Sequence, residues 1–187
     1  NPDFLMVGEG CYDLQSQYYG TYTRADYWHE PVLRYIDPTV PIACAVIDHN
    51  DLNHVNMCLA DRYAMSYEVR NFKGHLGEFP RVMAYGRKVD NLRRRYADFL
   101  WNGEFLDVLG ATVKGDNIRY TVFRNLKNGK KAVVVYNVDN KKANTASISI
   151  DGSSAPLVMA SPEKPAPAKF TGAVTLGPQS AVVIMEK

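Results

Sequence analysis

Apolar and polar positions follow two different patterns along the chain, and the pattern changes near Gly110. Upstream, short continuous apolar runs alternate with stretches of helical spacing; downstream, β-branched runs are separated by Asn, Gly and Pro. The first pattern is typical of a parallel sheet with crossover helices, and the second of antiparallel β-structure. We therefore predict two units, residues 1–108 and 116–187, with a linker at 109–115.

The first unit is predicted to alternate strands and helices. Apolar runs at 4–7 and 41–47 are too short for helices and read as strands buried on both faces. Helical spacing over 28–36 and 53–62 predicts helices, and 64–69 is expected to be a third strand, with a continuing helix as the alternative. This order predicts βαβ units, whose strands are parallel and whose connections are right-handed.

The clearest helical pattern runs from Pro80 to Trp101. Apolar residues that advance by three and four predict one buried stripe, formed by Val82, Tyr85, Val89, Leu92, Tyr96 and Phe99. Basic residues fall mostly off this stripe, namely Arg87, Lys88, Arg93, Arg94 and Arg95. Asp90 and Arg94 form an i,i+4 pair. We interpret the cations as a solvated helix face.

The second unit is predicted to be an antiparallel β-sandwich. Its short strands are 118–124, 131–138, 145–150, 157–160, 169–176 and 180–185. Lys127-Asn128-Gly129 separates the first two strands and has the residue types of a tight hairpin turn.

Charge and composition exclude several classes of function. The chain has 22 Lys and Arg against 20 Asp and Glu, so its formal charge of +2 predicts no nucleic-acid partner. No apolar run approaches the roughly 20 residues that span a bilayer, so no membrane partner is predicted. The 3 cysteines have no metal-ligand spacing and are expected to be small buried hydrophobic residues, and no cofactor is predicted.

Two of the predicted strands end in carboxylates. Glu9 follows the first run between two glycines, and Asp48 follows the second. Reactive side chains of parallel α/β folds stand at such carboxyl ends, and glycoside hydrolysis needs two carboxylates across one pocket. An apolar strand end favours the acid because desolvation helps it to keep its proton. The alternatives are a hydrogen-bonded loop residue for Glu9 and a helix N-cap for Asp48.

The segment after Glu9 is rich in aromatic and polar residues, among them Tyr12, Asp13, Tyr18 and Tyr19. Aromatic rings suit the C–H faces of sugars, and polar groups can fix the hydroxyls, so we predict a sugar subsite. The alternative is that several of these tyrosines only pack.

Metal binding is the rival interpretation of the cluster that follows the second strand. Asp48, His49, Asp51 and His54 fit neither a zincin helix nor an EF-hand loop. We therefore predict no metal site.

Four stretches carry a resemblance to a known class of enzyme. They are Phe4-Leu5-Met6-Val7-Gly8-Glu9-Gly10, Leu33-Arg34-Tyr35-Ile36-Asp37-Pro38, 66–74 and 93–105, and the last strand, 177–184, adds to them. In this order they resemble the C-terminal end of bacterial barrel glycoside hydrolases, in families distantly related to the α-amylase and α-galactosidase clans. The resemblance implies an α/β plus all-β chain, in which the last β/α units of a TIM-type barrel precede an antiparallel β-sandwich.

The resemblance also implies roles for the strand-end residues. Glu9 is the expected general acid/base, and Asp48 resembles the Asp that stabilises the transition state in the amylase clan. The pocket would be lined by Tyr12, Asp13, His49 and Glu68. The nucleophile of such a retaining enzyme has no counterpart upstream of Glu9.

Length bears on the same resemblance. A complete barrel takes roughly 200 residues or more, so residues 1–108 are expected to be its closing part. The remainder would come from the same precursor or from another chain. The expected partner is a carbohydrate substrate, and the alternative function is a non-catalytic carbohydrate-binding or structural module.

Overall fold

A computed structural model describes residues 7–9, 21–23, 34–35, 38–47, 51–67 and 74–187, with the backbone alone in the first two ranges. The chain divides into two compact units, Asn1–Ala84 and Tyr85–Lys187. The described part consists mostly of antiparallel sheet and contains few helices, which is the composition of a β-rich domain. Within it, no helix has the length and the apolar character that a bilayer crossing requires.

The first unit contains two pairs of parallel strands. β1 (Val7–Glu9) pairs with β2 (Thr21–Thr23), and β3 (Ala43–Ala45) pairs with β4 (Ala64–Ser66). Helix α1 (Leu52–Ala60) connects β3 to β4, so the expected βαβ order is confirmed here. Strand β2 lies in a stretch for which no strand was predicted, although Thr and Tyr are common strand residues.

Burial explains why the segment around β3 and α1 folds as predicted. Cys44, Val46 and Ile47 have no exposed surface, as expected for a strand covered on both faces. Helix α1 begins after Asp51, whose side chain accepts a hydrogen bond of 2.9 Å from the amide of Asn53. The helix ends at Ala60, before β4 begins at Ala64, so the alternative of a helix that continues through Tyr67 is wrong.

Arg34 is buried and holds the end of α1 in place. Its guanidinium donates to the carbonyl oxygens of Asp61 at 2.9 Å, Arg62 at 2.8 Å and Val40 at 2.5 Å. It also lies 5.4 Å from the centroid of the Tyr63 ring. A cation is favourable beside helix C-terminal carbonyls, so one side chain satisfies acceptors that the helix leaves open.

The long helix predicted from residue 80 is divided in two. A 3₁₀ turn at Leu76–Glu78 precedes α2 (Pro80–Arg95), and α3 (Ala97–Leu100) follows after a break at Tyr96. There the backbone leaves helical geometry, at φ −114° and ψ 37°, and the phenol donates to the Pro165 carbonyl at 2.8 Å. This contact joins residues far apart in the chain, so periodicity did not predict the break.

The second unit is a sandwich of two antiparallel sheets. The larger sheet has the order β11-β10-β13-β8-β7-β5 and the smaller the order β12-β9-β6. The strands are β5 (Glu104–Phe105), β6 (Ala111–Lys114), β7 (Ile118–Arg124), β8 (Lys131–Asn137), β9 (Asn144–Ile150), β10 (Leu157–Ala160), β11 (Ala168–Lys169), β12 (Ala173–Leu176) and β13 (Ala181–Glu186). The predicted antiparallel architecture is confirmed.

Two details of this unit differ from the prediction. The stretch 109–115 is not a free connection, because β6 within it pairs with β9 and buries Ala111. The strand predicted at 169–176 is two strands, β11 and β12, which belong to different sheets. Gly172 lies between them with φ 102°, a backbone conformation that favours glycine, and allows the chain to cross over.

Buried residues of both sheets form one hydrophobic core. It consists of Ala111, Val122, Val133, Val135, Ala146, Ile148, Ile150, Phe170, Leu176, Val182 and Ile184. Val134 is also fully buried, and it points to the opposite face because strand side chains alternate. Helix α3 contacts β7 and β8, so β8 is covered on both faces.

The hairpin between β7 and β8 has the predicted turn chemistry. Asn125 accepts from the amide of Lys127 through its side chain and from the amide of Gly129 through its carbonyl, both at 2.8 Å. Gly129 has φ 74°. The turn sets the register of the two strands, and Val122 faces Val133 across them.

Candidate active site at the ends of parallel strands

Glu9 is the last residue of β1. Its register partner in the parallel neighbour β2 is Thr23, and Gly8 lies opposite Tyr22. In parallel sheets, strands run in one direction, so their carboxyl ends meet at one edge. The backbone of Glu9 therefore has the position at which catalytic groups stand in parallel α/β folds.

The second parallel pair ends close to two further candidates. The amide of Val46 donates to the carbonyl of Ser66 at 3.0 Å, which extends the pairing of β3 and β4 beyond the last residue of β3. Ile47 is fully buried, and Asp48 follows it in the chain. Glu68 comes two residues after the end of β4. Strand β2 contacts β3 as well, so the two pairs are neighbours.

Most of the sequence-predicted site lies outside the described residues. This holds for Tyr12, Asp13, Tyr18, Tyr19, Asp48, His49 and Glu68. Their meeting in one pocket, and the reach of the Glu9 side chain, stay predictions.

The structure does bear on the rival interpretations of this segment. Asp51, rather than Asp48, is the N-cap of α1. Its side chain is thus engaged in capping, although it belonged to the candidate metal cluster. Among the residues that the structure describes, no group of three or more His, Cys, Asp or Glu could hold a metal ion.

Cys44 and Cys58 are free thiols and are fully buried, on β3 and α1. The prediction that they serve as small hydrophobic residues is confirmed for these two. Cys11 lies outside the described residues.

In the second unit, a cleft of about 280 Å³ opens beside β10, β12 and β13. Its walls are mostly apolar, with Met159, Val174 and Val182 among them, and Glu163 lies at its polar part. The charge of Glu163 also affects the pKa of Tyr85. Burial raises the pKa of Tyr85, the negative charge of Glu163 raises it further, and a hydrogen bond with the Ala181 backbone opposes them. The phenol therefore stays neutral at physiological pH.

The contact between Arg93 and Trp101 in the second unit was not expected from the sequence. Arg93 was expected on a solvated helix face, but only 3% of it is exposed, and its guanidinium lies 5.0 Å from the centroid of the Trp101 ring. The expected pair of Asp90 and Arg94 is confirmed, with 2.7 Å between oxygen and nitrogen. The local pattern of residues does not indicate that Arg93 is buried, because the burial depends on the turn that places Trp101 beside its guanidinium.

Comparison with known proteins assigns the chain to no family. No family model matches the chain, and no curated protein matches it. Among solved structures it aligns with a xyloglucanase of glycoside hydrolase family 44 from Paenibacillus polymyxa, at 14% identity and a TM-score of 0.40. The alignment covers 83% of this chain and 34% of that one, so the chain spans about a third of that enzyme's length. A TM-score this low does not establish a shared fold.

Proposed function

We propose that this chain is the closing part of a barrel glycoside hydrolase together with the β-sandwich that follows the barrel. The observation that carries the proposal is the position of Glu9, the last residue of a strand with a parallel neighbour. The parallel β3–α1–β4 unit supports it, because Asp48 and Glu68 come soon after the ends of its strands.

Two carboxylates would perform the reaction. Glu9 donates its proton to the glycosidic oxygen as the bond to the leaving group breaks, and the nucleophilic carboxylate attacks the anomeric carbon. Glu9 then takes a proton from water, which attacks the glycosyl-enzyme and releases the sugar with its configuration retained. In retaining enzymes the two carboxyl groups are about 5–5.5 Å apart. The nucleophile is expected outside this chain.

The remaining candidates would bind and orient the substrate. Asp48 would stabilise the positive charge that develops at the anomeric centre. Tyr12, Tyr18 and Tyr19 offer rings to sugar C–H faces, whereas Asp13, His49 and Glu68 offer hydrogen bonds to hydroxyls.

The test replaces Glu9 in the full-length protein that carries this chain. Glu9→Gln should lower turnover of phenyl glycosides by about 10²–10⁴-fold, the usual contribution of a general acid/base. With dinitrophenyl glycosides the rate of the first step should fall less, because their leaving group departs without a proton. The control is Asp116→Asn, which removes a carboxylate charge at an exposed position between β6 and β7 and should leave turnover unchanged.

The role of Glu9 can be separated from that of a structural residue. With Glu9→Ala and a dinitrophenyl substrate, added azide should restore turnover and give a glycosyl azide of the substrate's own anomeric configuration. Unchanged turnover in a folded Glu9→Gln protein would overturn the assignment.

A second candidate function is a non-catalytic carbohydrate-binding module. The observation that favours it is the sandwich core, whose members all lie between residues 111 and 184. Binding of oligosaccharide to residues 1–187 in calorimetry, with no glycoside hydrolysis by the full-length protein, would support this candidate over the first.

A further inference from the structure

Asparagine is followed by glycine at two places in the chain, Asn102-Gly103 and Asn128-Gly129. Because glycine has no Cβ and many accessible backbone conformations, its nitrogen can approach the side-chain carbon of the preceding asparagine. Residue types alone do not distinguish the two pairs. Their surroundings do, because they differ in exposure and in what opposes movement of the glycine.

Asn128-Gly129 lies at the tip of the hairpin between β7 and β8, and both residues are exposed. A Cβ added to Gly129 would meet no atom within 4 Å, so the space around the glycine is open. The Gly129 amide donates to the Asn125 carbonyl at 2.8 Å. This bond lies within the turn, since strand pairing ends at Arg124 and Lys131. The tip can therefore open while the strands stay paired, and such local opening costs little free energy.

The side chain of Asn128 is turned toward the backbone that follows it. Its Oδ1 accepts from the Lys130 amide at 3.0 Å, the short-range bond with which asparagine imitates a turn. The ring that this hydrogen bond closes contains both the Asn128 Cγ and the Gly129 nitrogen, so the two atoms stay close together. The Lys130 amide would also stabilise negative charge that develops on Oδ1.

Asn102-Gly103 is held differently, although Asn102 is also exposed. Gly103 is buried, and its amide donates to the Phe99 carbonyl at 3.2 Å. A Cβ there would collide with the same carbonyl oxygen and would lie 3.0 Å from the Arg124 carbonyl oxygen. Movement of the Gly103 nitrogen therefore requires the end of α3 to leave its contact with β7, which involves the sheet and not only a turn.

We propose that Asn128 is a site of spontaneous deamidation in the folded protein and that the fold protects Asn102 from the same reaction. The Gly129 nitrogen loses its proton to hydroxide and attacks the Asn128 Cγ. A C–N bond forms, and the side-chain amide takes a proton from water and leaves as ammonia. Water then adds to one of the two carbonyls of the resulting succinimide and breaks one C–N bond. The products are aspartate and isoaspartate, each of which adds one negative charge.

The experiment follows both pairs in one sample of the full-length protein that carries this chain. After incubation at mildly alkaline pH, pepsin digests the protein at acid pH, which stops the reaction, and mass spectrometry measures the conversion of each side-chain amide to a carboxyl. Asn128 should convert at least about tenfold faster than Asn102, a ratio that corresponds to about 1.4 kcal/mol in the free energy of opening. Electron-transfer fragmentation should identify isoaspartate at 128.

Unfolding separates the effect of the fold from that of the residue types. In urea both glycine nitrogens move freely, so conversion of Asn102 should accelerate until the two rates are similar. A rate ratio that is the same in urea as in buffer would show that the neighbouring residues set the difference, and this would contradict the proposal.

A substitution tests the attacking nitrogen. Gly129→Ala should slow conversion of Asn128 several-fold, because a Cβ hinders the approach of the nitrogen, and should leave Asn102 unchanged. The matched control is Gly152→Ala, at another exposed turn with φ 73° and no atom within 4 Å of an added Cβ. It introduces the same kind of backbone strain elsewhere and should leave conversion of Asn128 unchanged.

Three further results would overturn the proposal. They are equal conversion of the two asparagines in the folded protein, no conversion of Asn128 over a period in which the protein in urea converts, and an unchanged rate at Asn128 in Gly129→Ala. The reaction does not involve Glu9, so deamidation and the proposed hydrolase activity can each fail alone.

Discussion

Asn137 shows how much one side chain can hold together in the second unit. It is fully buried at the end of β8, and its carboxamide bonds to groups from separate turns. Nδ2 donates to the carbonyl oxygens of Lys142, Leu176 and Gly177 at 2.8–3.3 Å. Oδ1 accepts from the amide of Asp139 and from Nδ2 of Asn144, both at 3.0 Å. Only a side chain with both a donor and an acceptor satisfies this environment.

Asn137→Asp should lower the free energy of unfolding by at least about 2 kcal/mol at neutral pH, because a carboxylate would face carbonyl oxygens away from water. Those carbonyls raise the carboxyl's pKa in the folded state above its unfolded value. The folded state then binds more protons, so part of the stability should return as the pH falls. Urea unfolding at several pH values measures both effects.

The control for this change is Asn128→Asp, in the exposed turn between β7 and β8. Its side-chain oxygen accepts from the Lys130 amide, which a carboxylate also does, so stability should hardly change. Equal stability of the two variants would contradict the account of Asn137.

At the scale of elements, the turn from α3 to β5 depends on a glycine for steric reasons. A Cβ on Gly103 would collide with the Phe99 carbonyl oxygen and lie 3.0 Å from the Arg124 carbonyl oxygen. Both contacts are with backbone, which cannot move aside cheaply. Gly129 differs, since a Cβ there meets nothing within 4 Å and only its φ of 74° opposes a side chain.

Two alanine substitutions separate these causes. Gly129→Ala should cost about 1 kcal/mol, the usual penalty of a left-handed conformation. Gly103→Ala should cost more, about 1–3 kcal/mol, because α3 and β5 have to shift. Thermal unfolding of the two variants measures the difference, and equal losses would show that the turn relaxes freely.

At the scale of the whole molecule, the sandwich has a core of its own and its strands begin earlier than the sequence predicted. β5 pairs with β7 and β6 pairs with β9, so both belong to the sheets. The predicted domain, residues 116–187, would leave out both strands together with Ala111 of the core. The division of the chain into a barrel part and a sandwich stays a prediction.

Two fragments test this boundary. Residues 80–187, which keep α2 whole, should fold as a cooperative β-rich unit with dispersed amide resonances. Residues 116–187 should be much less stable or aggregate, because β7 and β9 would become unpaired edges. If both fragments unfold with the same midpoint, β5, β6 and α2 contribute nothing to the stability of the sandwich.

The sequence by itself determined the elements whose causes are local. Apolar runs marked β3 and β13, alternation marked β9, and the Asn-Gly turn marked the hairpin of β7 and β8, since each depends on neighbours in the chain. Tertiary structure decided what depends on distant partners: the break at Tyr96, the separation of β11 from β12, the burial of Arg93 and the assignment of β6 to a sheet. At the candidate site, the sequence supplied the residue types and placed Glu9 at the end of the first predicted strand, and the fold supplied the parallel neighbour of that strand, β2. Catalytic geometry is set by groups brought together from separate strands, which the order of residues along one strand does not contain.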